Sequence, residues 1–250
     1  IEASLTGHIV FANLHTNTED PIFNVQNTSS AYAGGGTMNT YITINGDQMT
    51  LVAKKTTNGA IVNSYTGPVP SNGLVFAQGN VYIQGDLSSQ LTVATMGKTF
   101  VTGKLRYVDQ DGDLAYVLKK DGNVVPDNDD GTTNAWTEAN GYTYEPNPEY
   151  NPVTPSTLGL LTAGEVEIVD GAPYNMEFHA ASFSATKRWF CNLNSKKGNL
   201  KVLGSLVSNM GGWRYNSAGY GYAKSGEYLY DNDLLQNAPP FWLKVNKPIY

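Results

Sequence analysis

The chain has 250 residues, of which 40% are hydrophobic and 11% aromatic, and a chain of this length can bury a sizeable core. Charged residues make up only 15% of it, the formal net charge is −6 and there are three arginines, so nucleic acid is not an expected partner. A single cysteine excludes an intramolecular disulfide, and the sequence has no run of about 18 apolar residues that could span a membrane.

Residues 1–65 are predicted to form a β-rich N-terminal cap. Their apolar residues occur in short segments with a period of two, such as 9–11 and 41–44, and these segments end at Gly, Asn or Pro. The spacing of an amphipathic helix is almost absent from the whole chain. The predicted fold class is therefore all-β.

An internal repeat is the most informative feature of the next region. Residues 79–87 (GNVYIQGDL) recur as residues 97–105 (GKTFVTGKL) and again as residues 198–206 (GNLKVLGSL). Each copy has Gly at positions one and seven and Leu at position nine. We interpret each copy as one coil, with a central strand, glycine corners and a leucine that turns inward to stack on its equivalents.

Stacked coils bury an apolar face that one coil cannot bury alone. The repeat thus predicts a β-solenoid, expected to be a right-handed β-helix, with coils in residues 66–107 and 157–210. An antiparallel meander or sandwich with similar hairpins is the alternative.

Residues 108–156 are acidic and rich in Asn, Gly and Pro, and they interrupt the coils. A structureless loop of this length is unusual inside a compact domain, so we predict an inserted, loop-rich lobe. Aromatic rings stack on sugars and fill protein interfaces, or they close a hydrophobic core. The lobe's candidate binding residues are Trp136, Tyr142, Tyr144 and Tyr150.

The lobe also contains a candidate calcium site, because calcium prefers clustered carboxylate oxygens. One acidic group has three aspartates at alternate positions, and the other matches positions one, three and twelve of an EF-hand loop. Thr132 stands where that loop requires Gly, so solvated acidic turns are the alternative. The candidate ligands are Asp109, Asp111, Asp113, Asp127, Asp129 and Glu138.

Residues 211–250 form a Gly- and Tyr-rich C-terminal segment. The adjacent Pro239 and Pro240 favour an extended conformation lying across the solenoid rather than within a sheet.

No catalytic residue is assigned. The sequence has no nucleophile elbow or phosphate-binding loop, and His8, His15 and His179 are too scattered for a zinc site. A polysaccharide lyase or glycosidase is the enzymatic alternative, because β-solenoids often carry such sites. A glycosidase needs two carboxylates across a cleft, and the pairs considered are Glu165 with Glu167 and Asp86 with Glu177.

Several stretches, in this order along the chain, resemble the solenoid of large PilX-type minor-pilin-like proteins of bacteria. The resemblance covers residues 65–107 and 157–242, about half of the chain. The matching stretches are residues 79–107, 158–163 (LGLLTA), 176–181 (MEFHAA), 198–205 (GNLKVLGS) and 230–235 (YDNDLL), followed by Pro239, Pro240 and Phe241.

The resemblance implies the surface-exposed ectodomain of a type IV pilus or pseudopilus component, anchored in the membrane by a hydrophobic N-terminal helix that would precede Ile1. The expected function is a non-catalytic extracellular structural or binding module acting in pilus assembly, adhesion or uptake. Expected partners are other pilus or surface-assembly subunits, or a surface polysaccharide or protein. No cofactor other than calcium is expected, and a non-pilus surface adhesin or filament subunit is a further alternative.

Overall fold

The computed structural model describes residues 24–25, 38–77, 79–129, 133–214, 218–223, 227–240 and 242. These residues form seventeen strands and three short 3-10 helices, at Pro126–Asn128, Glu138–Asn140 and Asn232–Leu235. The fold is all-β, as predicted, and its sheet is curled. None of the described helices has the length and apolar character needed to cross a membrane.

The strands are β1 (Asn24–Val25), β2 (Met38–Gly46), β3 (Gln48–Lys55), β4 (Ile61–Pro68), β5 (Leu74–Ala77), β6 (Asn80–Leu87), β7 (Gln90–Thr95), β8 (Thr99–Tyr107), β9 (Tyr116–Lys120), β10 (Asn123–Val124), β11 (Tyr142–Pro146), β12 (Thr157–Thr162), β13 (Val166–Val169), β14 (Met176–Ser184), β15 (Trp189–Asn192), β16 (Leu200–Ser208) and β17 (Glu227–Leu229).

Fourteen of these strands form one large sheet, and β9, β10 and β11 form a separate antiparallel sheet. Within the predicted cap, β2, β3 and β4 pair antiparallel. From β2 onward the large sheet continues through parallel pairs only, from β2 to β6, β6 to β8, β8 to β13 and β13 to β15. Apart from Asn24–Val25, residues 1–37 of the predicted cap, which include His8 and His15, lie outside the described residues.

The parallel pairs form three ladders, because the chain passes each part of the sheet repeatedly. The first ladder contains β2, β6, β8, β13 and β15 and ends in a bridge between Phe190 and Trp213. The second joins the end of β8 to β14, β16 and β17. The third joins β1, β5, β7, β12 and the second half of β14.

The repeat copies lie together in this sheet. The copies at residues 79–87 and 97–105 fall on β6 and β8, which pair in parallel with Val81 opposite Thr99. The third copy falls on β16, which joins β8 through β14. These pairings are parallel, so an antiparallel meander does not describe the copies.

One detail of the predicted stacking is wrong. Leu87 and Leu105 turn inward and are 1% and 0% exposed, as expected, and Leu206 is partly buried. However, the register shifts between Ile83 and Gly85, so Leu87 lies opposite Tyr107 and not opposite Leu105. The shift arises because β8 accommodates extra residues at a β-bulge.

The seventh position of the repeat requires glycine in two copies for a physical reason. Gly85 and Gly204 have φ angles of +122° and +135°, which side chains rarely adopt. A Cβ atom at either position would also overlap the backbone carbonyl of the preceding coil, at Ile44 for Gly85 and at Ala180 for Gly204. These two corners therefore require glycine, because it has no side chain.

The inward side chains of the ladders form one continuous core that includes Ile83, Val101, Leu160, Ile168 and Phe178. The sequence predicts that Val166 and Ile168 face this core while Glu167 points away. Both aliphatic residues are fully buried, but Glu167 is also only 7% exposed. It accepts a hydrogen bond of 2.8 Å from the Asn192 amide, which compensates its burial.

Pro240 and Trp242 lie across the outer face of the third ladder, as predicted, but they form a turn, in which the Trp242 N–H donates to the Pro239 carbonyl at 3.0 Å, and not the expected extended conformation. The C-terminal segment also contributes β17 to the large sheet, contrary to the prediction. The Thr92 hydroxyl donates a hydrogen bond to the Pro240 carbonyl. Trp242 and Phe183 pack against a small apolar cluster on the outer face, which contains Leu74, Phe76, Ala94 and Leu161.

Candidate functional site

The lobe, residues 108–156, contains most of the sequence-predicted site residues. Its three-stranded sheet has β9 in the centre, flanked by β10 and β11. Leu118, Val125, Trp136 and Tyr142 form a small core of its own. The lobe leaves the large sheet after β8 and rejoins it at β12.

Asp109, a predicted calcium ligand, binds backbone N–H groups instead. One carboxylate oxygen accepts from the amides of Asp111 and Asp113 at 3.0 and 2.9 Å, and the other accepts from Asn151 at 2.9 Å. Burial alone would raise the pKa of Asp109, but these donors lower it below its usual value. These contacts satisfy the carboxylate by closing a turn.

The other calcium candidates do not lie in a common cluster with it. Asp111, Asp127, Asp129 and Glu138 are exposed, and Asp113 is half-buried. Among the described residues no group of three or more His, Cys, Asp or Glu side chains could hold a metal ion. Thr132 of the EF-hand-like stretch lies outside the described residues. Calcium binding stays a prediction.

The aromatic candidates are largely buried. Trp136 and Tyr142 are each 2% exposed within the lobe core, which leaves little ring surface for a ligand. Tyr150 packs against the main core of the large sheet, and Tyr144 packs against the lobe core. Their positions agree with the alternative in which these rings close a hydrophobic core.

Where the lobe meets the large sheet, six polar side chains form what we call the polar junction: Lys104, Arg106, Asn128, Tyr144, Glu177 and His179. Glu177, on β14, is 0% exposed. Its Oε2 atom accepts hydrogen bonds of 2.8 Å from the Tyr144 hydroxyl and 2.8 Å from the Asn128 side-chain amide. The buried carboxylate thus binds two lobe residues at once.

Two cations lie beside the other oxygen of Glu177. Lys104 Nζ is 3.4 Å and Arg106 Nη1 3.9 Å from Oε1. Arg106 also makes a bidentate pair with Asp86, at 2.7 and 2.6 Å. Burial opposes the guanidinium charge, but Asp86 and Glu177 raise the pKa of Arg106. The negative charge of Glu177 is therefore compensated by charge as well as by hydrogen bonds.

His179 completes a chain of hydrogen bonds. Its Nδ1 atom accepts the Tyr107 backbone N–H at 3.0 Å, and Nε2 lies 2.7 Å from the Tyr144 hydroxyl. Burial, together with Arg106, lowers the pKa of His179 to about 3, so the ring is neutral near pH 7. Nε2 then carries the proton and donates to Tyr144, which donates to Glu177. Burial and the charge of Glu177 raise the pKa of the Tyr144 phenol.

Asn128 stabilises the lobe through hydrogen bonds to its backbone. It is fully buried, with a left-handed backbone (φ 50°). Its Oδ1 atom accepts the Leu118 N–H at 2.6 Å, and Nδ2 donates to the Tyr116 carbonyl at 2.9 Å. Lys104 Nζ donates to the Asn128 backbone carbonyl at 2.8 Å.

Two asparagines in adjacent coils make a second attachment. The Asn199 N–H donates to Asn175 Oδ1 at 2.9 Å, and Asn175 Nδ2 donates to the Asn134 carbonyl at 2.8 Å. The Asn199 side-chain amide donates to the Trp136 carbonyl. The lobe is therefore held by side chains from several coils.

A cavity of about 330 Å³ opens beside the polar junction. Its walls combine the two junction cations with carboxylates and aromatic rings. The lining residues include Lys104, Arg106, Asp127, Asp129, Trp136 and Tyr174. Such mixed walls suit a small polar ligand.

A larger groove, about 430 Å³, lies beside the last strands, β16 and β17, and we call it the end groove. Trp213 and Tyr228 there are 36% and 50% exposed. The Arg188 guanidinium lies 3.9 Å from the Trp213 ring centroid and that of Arg214 5.0 Å from Tyr228. The groove is lined by Trp189, Leu206, Ser208, Gly212, Trp213, Arg214 and Tyr228.

A row of rings crosses the first ladder. Tyr41 stacks on Tyr82 and Tyr82 on Phe100, each at 4.7 Å between ring centroids. Lys54 lies 4.9 Å from the Tyr41 ring centroid. Because the rings face one another, their faces stabilise neighbouring coils and are not free to stack on a sugar. The repeat could have predicted the stacking of Tyr82 on Phe100, since the two residues occupy the same position in their copies.

Sequence reasoning found the residues of the polar junction only singly. The sequence suggests Glu177 as half of a glycosidase pair and His179 only as one of three histidines too scattered for a zinc site, and it does not identify Asn128 as a site residue. The conformation and contacts of Asn128 depend on how the lobe docks on the large sheet.

The comparisons with protein-family models, curated proteins and solved structures found no match to this chain.

Proposed function

We propose that this chain is a non-catalytic extracellular module, the ectodomain of a pilus-associated, minor-pilin-like bacterial surface protein, built as a right-handed β-solenoid. The observation that carries the proposal is the parallel pairing of the repeat copies within one sheet. Stacked coils make a stiff, elongated scaffold in which each coil contacts its neighbours. Such a scaffold suits a subunit that joins a surface assembly.

The polar junction supports a structural role over a catalytic one. It contains the acid, the imidazole and the phenol that hydrolases and lyases use, but Glu177 and His179 are both 0% exposed. A general acid or base must reach its substrate within hydrogen-bonding distance. Here the polar atoms bind the lobe.

The end groove is the surface we propose for a partner subunit. It combines exposed tryptophan and tyrosine with arginine, the residue types that dominate interface energetics. β17 pairs only with Lys201–Leu203 of β16, and no strand among the described residues pairs with the rest of that edge. Val207 and Met210, near this edge, are each 49% exposed.

Truncation of the groove tests this assignment. In the full-length protein, Trp213→Ala combined with Tyr228→Ala should reduce recovery in the sheared pilus fraction by tenfold or more, as expected for loss of an interface hot spot. Tyr41→Ala, at the opposite end of the first ladder, is the matched control and should leave recovery unchanged. Equal recovery of all three proteins, with unchanged melting temperatures, would contradict a groove interface.

The genomic sequence upstream of Ile1 tests the pilus assignment separately. A pilin requires a processing site followed by an apolar helix of about 20 residues. If neither is encoded there, the non-pilus surface adhesin or filament subunit becomes the better proposal.

A carbohydrate-active enzyme is the second candidate, and the cavity beside the polar junction favours it. Trp136, Tyr174 and the carboxylates of Asp127 and Asp129 line it. A screen against acidic and neutral polysaccharides is the test. Turnover that disappears in Asp127→Asn or Asp129→Asn would replace the non-catalytic proposal.

A further inference from the structure

We propose that the polar junction forms an intramolecular isopeptide bond, joining Nζ of Lys104 to the side-chain carbonyl carbon, Cγ, of Asn128, with Glu177 transferring the protons. The bond would link β8 of the large sheet to the lobe. It goes beyond the proposed function, because it concerns the chemistry of this chain alone.

Lys104 and Asn128 both contact Glu177, and Lys104 also contacts the Asn128 backbone. Lys104 Nζ lies 2.8 Å from the Asn128 backbone carbonyl and 3.4 Å from Glu177 Oε1. Glu177 Oε2 accepts the Asn128 Nδ2–H at 2.8 Å. One carboxylate therefore contacts both the amine that would attack and the nitrogen that would leave.

Glu177 has an oxygen available for a proton. Oε1 is buried and makes no hydrogen bond within the described structure, although both cations are near it. A buried acceptor without a hydrogen bond costs free energy, and a functional role is one reason for a protein to keep such a group. Taking the Lys104 proton is such a role.

The surroundings favour the reaction. Asn128 and Glu177 are each 0% exposed, and the Lys104 ammonium lies 4.9 Å from the Trp136 ring centroid. Around the buried Asn128 and Glu177 side chains the electrostatic contacts are strong, whereas Lys104 also borders the cavity beside the polar junction. Proximity of the two groups replaces a bimolecular encounter.

The carbonyl that would be attacked already has a hydrogen-bond donor. Asn128 Oδ1 accepts the Leu118 backbone N–H at 2.6 Å. In the tetrahedral intermediate this oxygen becomes an oxyanion, and the same N–H would stabilise the new charge.

The step balances without a co-reactant. The Lys104 ammonium gives one proton to Glu177, and the neutral Nζ attacks Cγ of Asn128. The new Nζ–Cγ bond forms, the Cγ–Nδ2 bond breaks, and Glu177 returns its proton to the departing nitrogen. A second Nζ proton leaves with it, so the products are an amide and one ammonium ion.

Mass spectrometry of the full chain tests the proposal. The purified protein should weigh about 17 Da less than its sequence requires, the mass of one ammonia. Succinimide formation at an asparagine removes the same mass, so peptide mapping is needed as well. It should recover Lys104 and Asn128 in one branched peptide after proteolysis.

Variants of Lys104 and Glu177 test the attacking amine and the proton acceptor separately. Lys104→Arg and Glu177→Gln should both have the full sequence mass, because one lacks the amine and the other lacks the proton acceptor. Glu165→Gln is the matched control, since Glu165 pairs with Lys98 at 2.6 Å in a more exposed site. It should still lose ammonia. A wild-type chain of full mass, or one whose branched peptide is absent after incubation at neutral pH, would overturn the proposal even if the variants fail to fold.

Discussion

The large sheet and the lobe are stabilised in different ways. In the sheet, aliphatic and aromatic side chains from successive strands fill one continuous core, and the same Gly and Leu positions recur in each copy of the repeat. Among its described residues the lobe has a core cluster of four buried residues, and it is held by Glu177 of β14 and by Asn175 and Asn199, which directly precede β14 and β16. Stacking requires repetition, whereas attachment of the lobe requires specific polar groups.

The largest expected effect breaks this attachment. Glu177→Ala removes a buried carboxylate from Lys104, Asn128 and Tyr144, and breaking a buried ion pair costs about 3–5 kcal/mol. Chemical denaturation should show the lower free energy of unfolding. The matched control is Glu165→Ala, which affects a partly exposed pair and should cost less than about 1 kcal/mol. Equal losses of unfolding free energy in the two variants would contradict a larger stabilising effect of the polar junction.

Substitution of a coil corner should have the next largest effect. Gly204→Ala forces a side chain into a positive φ and against the Ala180 carbonyl, so a loss of about 2–4 kcal/mol is expected. Gly171→Ala is the control, because nothing lies within 4 Å of its added Cβ. Thermal unfolding would measure both, and a stable Gly204→Ala protein would argue against the corner geometry.

A smaller effect is expected at the phenol. Tyr144→Phe removes the hydroxyl between His179 and Glu177 and leaves both with one partner fewer, at a cost of about 1–3 kcal/mol. Hydrogen exchange should show faster opening of the β11 amides than of the β6 amides. If both strands respond alike, lobe and sheet unfold as one unit.

The smallest expected effect is on the pH dependence of the free energy of unfolding. Because the pKa of His179 is about 3 in the folded chain and about 6.5 when unfolded, the unfolded state binds more protons between these values. Stability contributed by the neutral ring is present above pH 6.5 and is lost as pH falls towards 3, by at most about 1.4 kcal/mol per pH unit. Between pH 6 and 5, the free energy of unfolding should change less with pH in His179→Gln than in the wild-type chain, as measured by chemical denaturation. Identical slopes would contradict a buried neutral histidine.

Much of the sheet could be predicted because its signal is local and repeated. The repeat predicts that its copies stack, and the parallel pairing of β6 with β8, in which Val81 lies opposite Thr99, agrees with this prediction. The shift that places Leu87 opposite Tyr107 was missed, because a β-bulge depends on contacts with the neighbouring coil. Likewise, alternation predicted that Glu167 points away from the core, but not that Asn192 would bind it there.

The polar junction could not be predicted in the same way. Asn128 and Glu177 are far apart in sequence, and their hydrogen bond exists only after the lobe docks. The acidic stretches around Asp109 and Asp127 suggested calcium, because sequence alone does not show whether a carboxylate binds an ion or a backbone N–H. For Asp109 the structure shows backbone partners.

The position of Pro240 and Trp242 has a consequence for biosynthesis. The apolar residues that Trp242 covers, including Phe76 and Leu161, leave the ribosome long before Trp242 itself. Until residues 239–242 are synthesised, this outer face of the third ladder remains uncovered, and exposed apolar surface on a nascent chain promotes aggregation. A chain truncated before Pro239 should therefore need chaperone assistance that a chain containing Trp242 does not need.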